Sequence, residues 1–95
     1  MFRLIIKNPV YQVLDEAYYW YEEQLPGLGE RLLNEIDDCL NKLSHTPFYY
    51  STDKDNYRQL MLRNFPYKII FEIAENNVIV YALFHTSRDP DKIFD

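Results

Sequence analysis

The chain has 95 residues, which is enough for one domain with a buried core and too few for two domains. Hydrophobic residues make up 47% of the chain and aromatic residues 17%, with only two glycines, so the composition excludes a disordered or low-complexity protein. The net charge of −5 disfavours avid, unspecific binding to nucleic acid, which rewards excess positive charge.

The first half of the sequence predicts one strand followed by a helical hairpin. Residues 2–7 alternate apolar and polar side chains, which predicts a first strand. Asn8-Pro9 supplies an N-cap followed by a proline at the first helical position, and apolar residues then recur every three or four positions to about Leu25. The glycine-containing turn 26–29 allows a second helix to fold back, and an apolar stripe places that helix over Leu28–Ser44.

The second half predicts three strands. A polar connection leads into a strand over Tyr57–Arg63, and a turn at 64–66 separates it from a strand over Tyr67–Ile73 with one apolar face. Asn76-Asn77 is typical of a tight hairpin turn, because Asn tolerates positive φ. The nearly continuous apolar run Val78–Phe84 indicates a central strand.

The order β-α-α-β-β-β predicts a single α+β domain spanning residues 1–95. We expect the helical hairpin to pack on one face of a curved, mostly antiparallel four-stranded sheet. Asp89-Pro90 caps a predicted short C-terminal helical turn over 91–94. The opposite, open face of the sheet is where we expect a site.

Several classes of chemistry lack their sequence signals. The single Cys39 cannot form an internal disulfide and sits on a predicted helix among apolar positions, which is typical of a core residue. One Cys and two distant His give no metal-ligand spacing, and there is neither a phosphate-binding glycine loop nor a nucleophile elbow. We therefore expect no metal, no cofactor and no membrane segment, and a cytoplasmic protein.

The candidate site residues are cations of the second half of the chain. Residues 1–46 hold eight acidic and four basic residues, so an anion-binding face is expected later in the sequence. Lys68, His85 and Arg88 form the candidate cluster, because neighbouring antiparallel strands would allow them to converge. Arg58 and Arg63 are further candidates for contacting a partner or nucleic acid, although strand alternation turns them to opposite faces.

Three segments, in this order along the chain, resemble the RelE/ParE superfamily of toxins from type II toxin-antitoxin systems, which includes plasmid stabilisation proteins. They are Gly27–Leu33 (GLGERLL), Arg63–Phe71 (RNFPYKIIF) and the motif His85-x-x-Arg88-Asp89-Pro90. The resemblance covers nearly the whole chain and implies the same β-α-α-β-β-β fold. It also implies a cognate antitoxin as partner, wrapping a helical or extended segment over exposed apolar surface.

Members similar to RelE cut mRNA on the ribosome without a metal, which requires a base, phosphate-binding cations and an acid. Here Lys68 and Arg88 match two of the cationic positions, whereas Gln59 and Met61 stand where lysines are expected. Phe94 replaces the terminal tyrosine and cannot transfer a proton, so such a mechanism would have to recruit His85.

Members similar to ParE lack the nuclease residues and act by binding DNA gyrase and stalling it on cleaved DNA. The Gly-Leu-Gly hairpin, the Phe-Pro-Tyr turn and the His-x-x-Arg-Asp-Pro ending resemble this branch more closely. The sequence therefore favours a ParE-like gyrase poison. The alternatives are a ribosome-dependent endoribonuclease using Arg88, Lys68 and His85, and a family member without toxicity.

Overall fold

The computed structural model describes residues 1–53 and 55–86, which form two helices packed on an open four-stranded sheet. The elements are β1 (Arg3–Ile6), α1 (Asn8–Gln24), α2 (Leu28–His45), a 3₁₀ turn (Pro47–Tyr49), β2 (Arg58–Met61), β3 (Tyr67–Ala74) and β4 (Asn77–His85). This order confirms the predicted α+β arrangement. The helical turn predicted over 91–94 lies outside the described residues, as do Arg88 and Phe94.

The sheet has the strand order β1-β4-β3-β2. The first strand is parallel to β4, whereas β4 with β3 and β3 with β2 are antiparallel. The apolar run predicted as a central strand lies in β4, between β1 and β3, and the sheet is mostly antiparallel as predicted. Strands β1 and β2 are the two edges of the sheet.

A β-bulge interrupts the alternation of β4 side chains between the two faces of the sheet. Ile70 pairs with Ala82, but Phe71 pairs with Val80, so Tyr81 is an extra residue on β4. The shift turns Val80 and Leu83 toward the same apolar core although they are three positions apart. Strict alternation along the sequence could not have predicted this change of face.

The core lies between the helical hairpin and the inner face of the sheet. Helix α2 contributes Leu32, Ile36, Cys39 and Leu43 at helical spacing, all on the face that meets the strands. The largest fully buried side chains of this core are Phe71, Leu32, Leu43, Ile69, Leu83, Val78 and Val80. The predicted apolar face of β3 carries Tyr67, Ile69, Phe71 and Ile73, and the structure confirms it.

The helix reversal depends on two glycines that act in different ways. Gly27 has φ +93°, a left-handed conformation that disfavours a side chain, although nothing lies within 4 Å of the position that a Cβ would take. Gly29 has an ordinary φ but is buried where α2 crosses α1. The carboxylate of Glu22 accepts hydrogen bonds from the backbone N–H groups of Gly27 and Glu30, both at 3.1 Å, and so caps α2 from the preceding helix.

Several element boundaries differ by one or two residues from the predictions. Helix α1 begins one residue early, with Lys7 rather than Asn8 as its N-cap. The β3–β4 turn places Glu75, not an asparagine, at positive φ (57°). Strand β2 ends at Met61 rather than Arg63, and the backbone N–H of Arg63 donates to the Glu35 carboxylate of α2.

Candidate functional site

Lys68 and His85, two residues of the predicted cationic cluster, lie on opposite faces of the sheet. His85 pairs with Tyr67, whose side chain belongs to the core beneath the helices, and the two rings pack edge to face at 5.0 Å. Lys68 pairs with Phe84, the next pair of this antiparallel ladder, and therefore points to the other face. The described residues thus do not bring Lys68 and His85 together, and Arg88 lies outside them.

Arg58 and Arg63 also lie apart. The half-buried Arg58 donates a hydrogen bond to the backbone carbonyl of Tyr50, and its guanidinium lies 5.2 Å from the centre of the Phe48 ring. These contacts attach the 3₁₀ turn to the sheet. Arg63 is exposed at the turn after β2.

The outer face of the sheet, where a site was expected, carries an aromatic pair beside a carboxylate. The rings of Tyr57 and Tyr81 pack edge to face at 5.6 Å, and the Tyr81 hydroxyl donates to Glu72 at 3.3 Å. Desolvation and the neighbouring Glu72 carboxylate raise the pKa of Tyr81. A tyrosine with a raised pKa is a weak acid, which suits a structural contact better than proton transfer at neutral pH.

A groove between α2 and strand β2 is lined by both charged and apolar side chains. It encloses about 710 Å³. Helix α2, the 46–50 segment, β2 and the following turn line it with Arg31, Asn34, Glu35, Asp38, Cys39, Lys42, Thr46, Tyr49, Tyr50, Leu60, Met61, Arg63 and Asn64. We call this surface the α2–β2 groove.

The lining of the α2–β2 groove has a small excess of basic over acidic side chains, in a chain of net charge −5. Arg31, Lys42 and Arg63 line it together with the carboxylates of Glu35 and Asp38. Glu35 is already occupied by hydrogen bonds from the turn after β2. Within residues 1–53 and 55–86, no ion pair neutralises Arg31 or Lys42. A chain of net charge −5 therefore presents a groove with positive charges available to a ligand.

Glu35 fixes the wall of the α2–β2 groove. Its carboxylate accepts hydrogen bonds from the backbone N–H of Arg63 at 2.6 Å, from the backbone N–H of Asn64 at 3.1 Å and from the Asn64 side-chain amide at 2.8 Å. Hydrogen bonds to a charged acceptor are shorter and stronger than those between neutral groups. Glu35 thereby ties the turn after β2 to α2 and holds the two sides of the groove at a fixed separation.

Glu35→Gln should loosen this turn, because an amide offers one acceptor oxygen and turns an NH₂ group toward other donors. We expect a loss of about 1–2 kcal/mol in the free energy of unfolding and faster amide hydrogen exchange at Arg63 and Asn64. Glu23→Gln, at an exposed position of α1, is the matched control. Unchanged exchange at both amides in the Glu35 variant would contradict the role given to Glu35.

Cys39 lies at the floor of the groove but is only 5% exposed. Burial, reinforced by the nearby Glu35 carboxylate, raises the pKa of the Cys39 thiol. Because the thiolate is the reactive form, a raised pKa makes the thiol less reactive at a given pH. These properties agree with a core cysteine and disfavour a nucleophile.

We therefore expect Cys39 to react slowly with iodoacetamide at pH 8 in the folded protein and at the rate of a free thiol in urea. At least a tenfold difference is expected, since both access and the thiolate fraction fall on folding. Because Cys39 is the single cysteine of the chain, mass spectrometry of the intact protein measures this rate directly. Equal rates in both conditions would show that the groove floor is open.

Arg31 and Lys42 are site candidates that the sequence analysis did not select. They lie eleven residues apart on α2, which is three helical turns, so both face the groove. The apolar stripe predicted only the buried face of this helix. The charged stripe beside it, at positions 31, 35, 38 and 42, was the available signal.

Among residues 1–53 and 55–86 there is no cluster of three or more metal-ligating side chains. Within the same ranges, neither helix is long and apolar enough to cross a membrane.

The chain is similar in sequence to ParE toxins. Residues 4–90 match the family model described as ParE toxin of type II toxin-antitoxin system, parDE. Toxin ParE2 of Mycobacterium tuberculosis, strains CDC 1551 and H37Rv, is 26% identical over 92 residues, covering 96% of this chain and 88% of the relative.

Two solved structures share the fold. A chain from the chromosomal ParDE toxin-antitoxin system of P. aeruginosa superposes with a TM-score of 0.78 at 16% identity, covering 90% of this chain and 96% of the other. Protein HP0894 of Helicobacter pylori superposes with a TM-score of 0.55 at 18% identity, with 87% and 92% covered. The family match spans most of the sequence and agrees with the three motifs and the order of the elements. The chain belongs to the ParE toxin family of type II toxin-antitoxin systems.

Proposed function

We propose that this protein is a toxin that binds and poisons DNA gyrase in the cytoplasm and is neutralised by its cognate antitoxin. The proposal rests first on membership of the ParE toxin family over residues 4–90. A poison of this kind needs a binding surface rather than a set of catalytic side chains. The α2–β2 groove, the exposed aromatic residues of α1 and the turn at 47–49 offer such surface.

The separation of Lys68 from His85 is the observation that favours a gyrase poison over an mRNA endoribonuclease. A metal-independent nuclease needs a base, an acid and phosphate-binding cations around one scissile bond. The register of β3 with β4 turns Lys68 and His85 to opposite faces of the sheet, and Tyr67 packs against the His85 ring. Gln59 and Met61 add no cation on β2, where two were expected for a nuclease.

Supercoiling of relaxed plasmid by purified gyrase tests this function. We expect the toxin to inhibit supercoiling in proportion to its concentration, and prior mixing with the antitoxin to abolish the inhibition. A parallel reaction with programmed ribosomes and mRNA tests the alternative. Cleavage of the mRNA that is lost in His85→Ala or Lys68→Ala, with gyrase unaffected, would overturn the proposal in favour of an endoribonuclease.

Growth after induced expression separates both activities from an inactive family member. Expression of the wild-type chain without its antitoxin should arrest growth, and co-expression of the antitoxin should restore it. Normal growth at a confirmed level of folded protein would contradict any toxic function.

A further inference from the structure

Two neighbouring aromatic side chains are exposed near the C-terminal end of α1. Tyr19 and Trp20 are 66% and 56% exposed, although tryptophan in particular is mostly buried in folded proteins. Tyr11 of the same helix and Leu25, its C-cap, are also more than half exposed. Exposed apolar surface with a polar rim is typical of a site that another protein covers.

The rings of Tyr19 and Trp20 are held in place by their neighbours. The Trp20 ring packs edge to face on Tyr21 at 5.0 Å, and Tyr21 packs in the same way on Phe65 of the turn before β3, also at 5.0 Å. The Tyr19 ring packs on Tyr18 at 5.3 Å, and the Tyr18 hydroxyl donates to a carboxylate of α2 at 3.1 Å. Side chains that are ordered before binding lose less conformational entropy when a partner arrives. The two rings are therefore preorganised for binding.

Three exposed carboxylates surround this aromatic pair. Asp15, Glu16 and Glu23 each lie three or four residues from Tyr19 or Trp20, which is one turn along the helix surface. Helix α1 contains no lysine or arginine, and no hydrogen bond or ion pair engages these carboxylates within the described part of the chain. We call the five residues Asp15, Glu16, Tyr19, Trp20 and Glu23 the α1 face.

The position of Glu23 is unfavourable for the helix itself. A helix C-terminus carries a partial negative charge, so an unpaired carboxylate in the last turn destabilises the helix. Glu22 lies in the same turn but caps α2, whereas no bond to a described residue accounts for Glu23. Helix α1 also lacks acidic residues in its first turn, where they would stabilise it. The stability of α1 thus does not explain the α1 face, and a positively charged partner would.

Aromatic rings and carboxylates together define the chemistry of this partner. An arginine guanidinium forms cation–π contacts with tryptophan and tyrosine rings and paired hydrogen bonds with carboxylates, so it can use both parts of the α1 face. A nucleic acid is disfavoured, because the three carboxylates repel its phosphates. A protein that binds DNA presents arginine and lysine along the path of the DNA. The proposed target, DNA gyrase, is a protein of this kind.

We propose that the toxin docks through its α1 face on an arginine-containing, basic surface of DNA gyrase. The two rings stack against arginine side chains of gyrase, and the three carboxylates pair with positive charges of the same surface. This inference rests on the proposed function, because it assigns the toxin surface that contacts the proposed target. The charges accelerate encounter and select the partner, whereas the rings provide most of the affinity.

Biolayer interferometry with immobilised gyrase holoenzyme tests the charge of the α1 face. The variant Asp15→Lys/Glu23→Lys should bind at least about tenfold more weakly than the wild type at low salt, and the difference should shrink as salt rises. Asp37→Lys/Glu75→Lys makes the same change in formal charge at exposed positions of α2 and of the β3–β4 turn. This control should alter the dissociation constant less than about threefold.

The aromatic part of the α1 face has its own variants. Trp20→Ala should weaken gyrase binding at least about tenfold, and Trp20→Phe, which keeps a ring, should bind more tightly than the alanine variant. Gln12→Ala, at an exposed position two turns earlier on the same helix, should change the dissociation constant less than about threefold. Circular dichroism confirms that each variant is folded.

Carbodiimide labelling of the wild-type toxin needs no substitution. Mass spectrometry should show that labelling of Asp15, Glu16 and Glu23 falls when gyrase is added, whereas labelling of Asp37 and Glu75 is unchanged. Full labelling of the three α1 carboxylates in the complex would contradict the proposed contact.

The outcomes separate this proposal from the proposed function. If the wild-type toxin causes gyrase-linked DNA breaks but the α1-face variants bind gyrase as tightly as the wild type, the face assignment is wrong while the toxin function stands. If the wild-type toxin does not bind gyrase, the proposed function fails. Loss of antitoxin binding, or of a toxin dimer, in Trp20→Ala with unchanged gyrase binding would assign the α1 face to that other occupant and overturn the inference.

Discussion

Phe71→Ala is expected to lower the free energy of unfolding by about 3–5 kcal/mol. Phe71 is fully buried on β3, pairs with Val80 of β4 and packs edge to face against Tyr50 at 6.0 Å. Removing the ring leaves a cavity where the bulge, the central strand and the segment before β2 meet. A domain of this size is stabilised by about 5–15 kcal/mol in total, so the variant should unfold at a much lower urea concentration.

Phe48→Ala is the matched control for this substitution. The same atoms are removed, but Phe48 is 64% exposed; its ring packs edge to face with Phe2 and lies beside the Arg58 guanidinium. We expect a loss of about 1 kcal/mol. Urea unfolding followed by circular dichroism measures both variants. A loss at Phe71 no greater than the loss at Phe48 would contradict the placement of the core.

Gly29→Ala is expected to lower the free energy of unfolding by about 2–3 kcal/mol, although alanine is the better helix former. A Cβ at this position would lie 2.7 Å from the backbone oxygen of Tyr18 and 2.7 Å from Cγ of Glu22. A backbone atom cannot move aside without separating α1 from α2. The displacement of Glu22 would also weaken the cap of α2.

Gly27→Ala separates this steric effect from a conformational one. Gly27 needs φ +93°, but nothing lies within 4 Å of an added Cβ, so the expected loss is about 1 kcal/mol. The two thermal midpoints should therefore differ by several degrees, with Gly29→Ala the lower. A Gly29 variant as stable as the wild type would mean that the helices do not approach as closely as described.

Most of the fold was predictable because local patterns and global packing agree. The apolar stripe of α2 is the buried face, and the apolar run of β4 is the central strand. The position of the bulge at Tyr81 and the residue at which β2 ends were not predictable. The bulge depends on the register between β3 and β4, which local sequence does not set, and the turn after β2 is tied to Glu35 of α2, nearly thirty residues earlier in the chain.

The candidate site was less predictable than the fold. Cations can be recognised in a sequence, but whether two of them converge depends on strand register. One residue of register turned Lys68 and His85 to opposite faces. The α2–β2 groove combines a helix flank, an edge strand and a turn, and only the charged stripe at 31, 35, 38 and 42 indicated it in advance.

The most direct test of the proposed function is the accumulation of gyrase-linked DNA breaks. Purified toxin is incubated with gyrase, ATP and supercoiled plasmid, the reaction is stopped with detergent and protease, and linear DNA is quantified. We expect linear DNA to increase with toxin concentration and to fall to the background when the antitoxin is added first. No increase in linear DNA at a large molar excess of folded toxin would contradict the account.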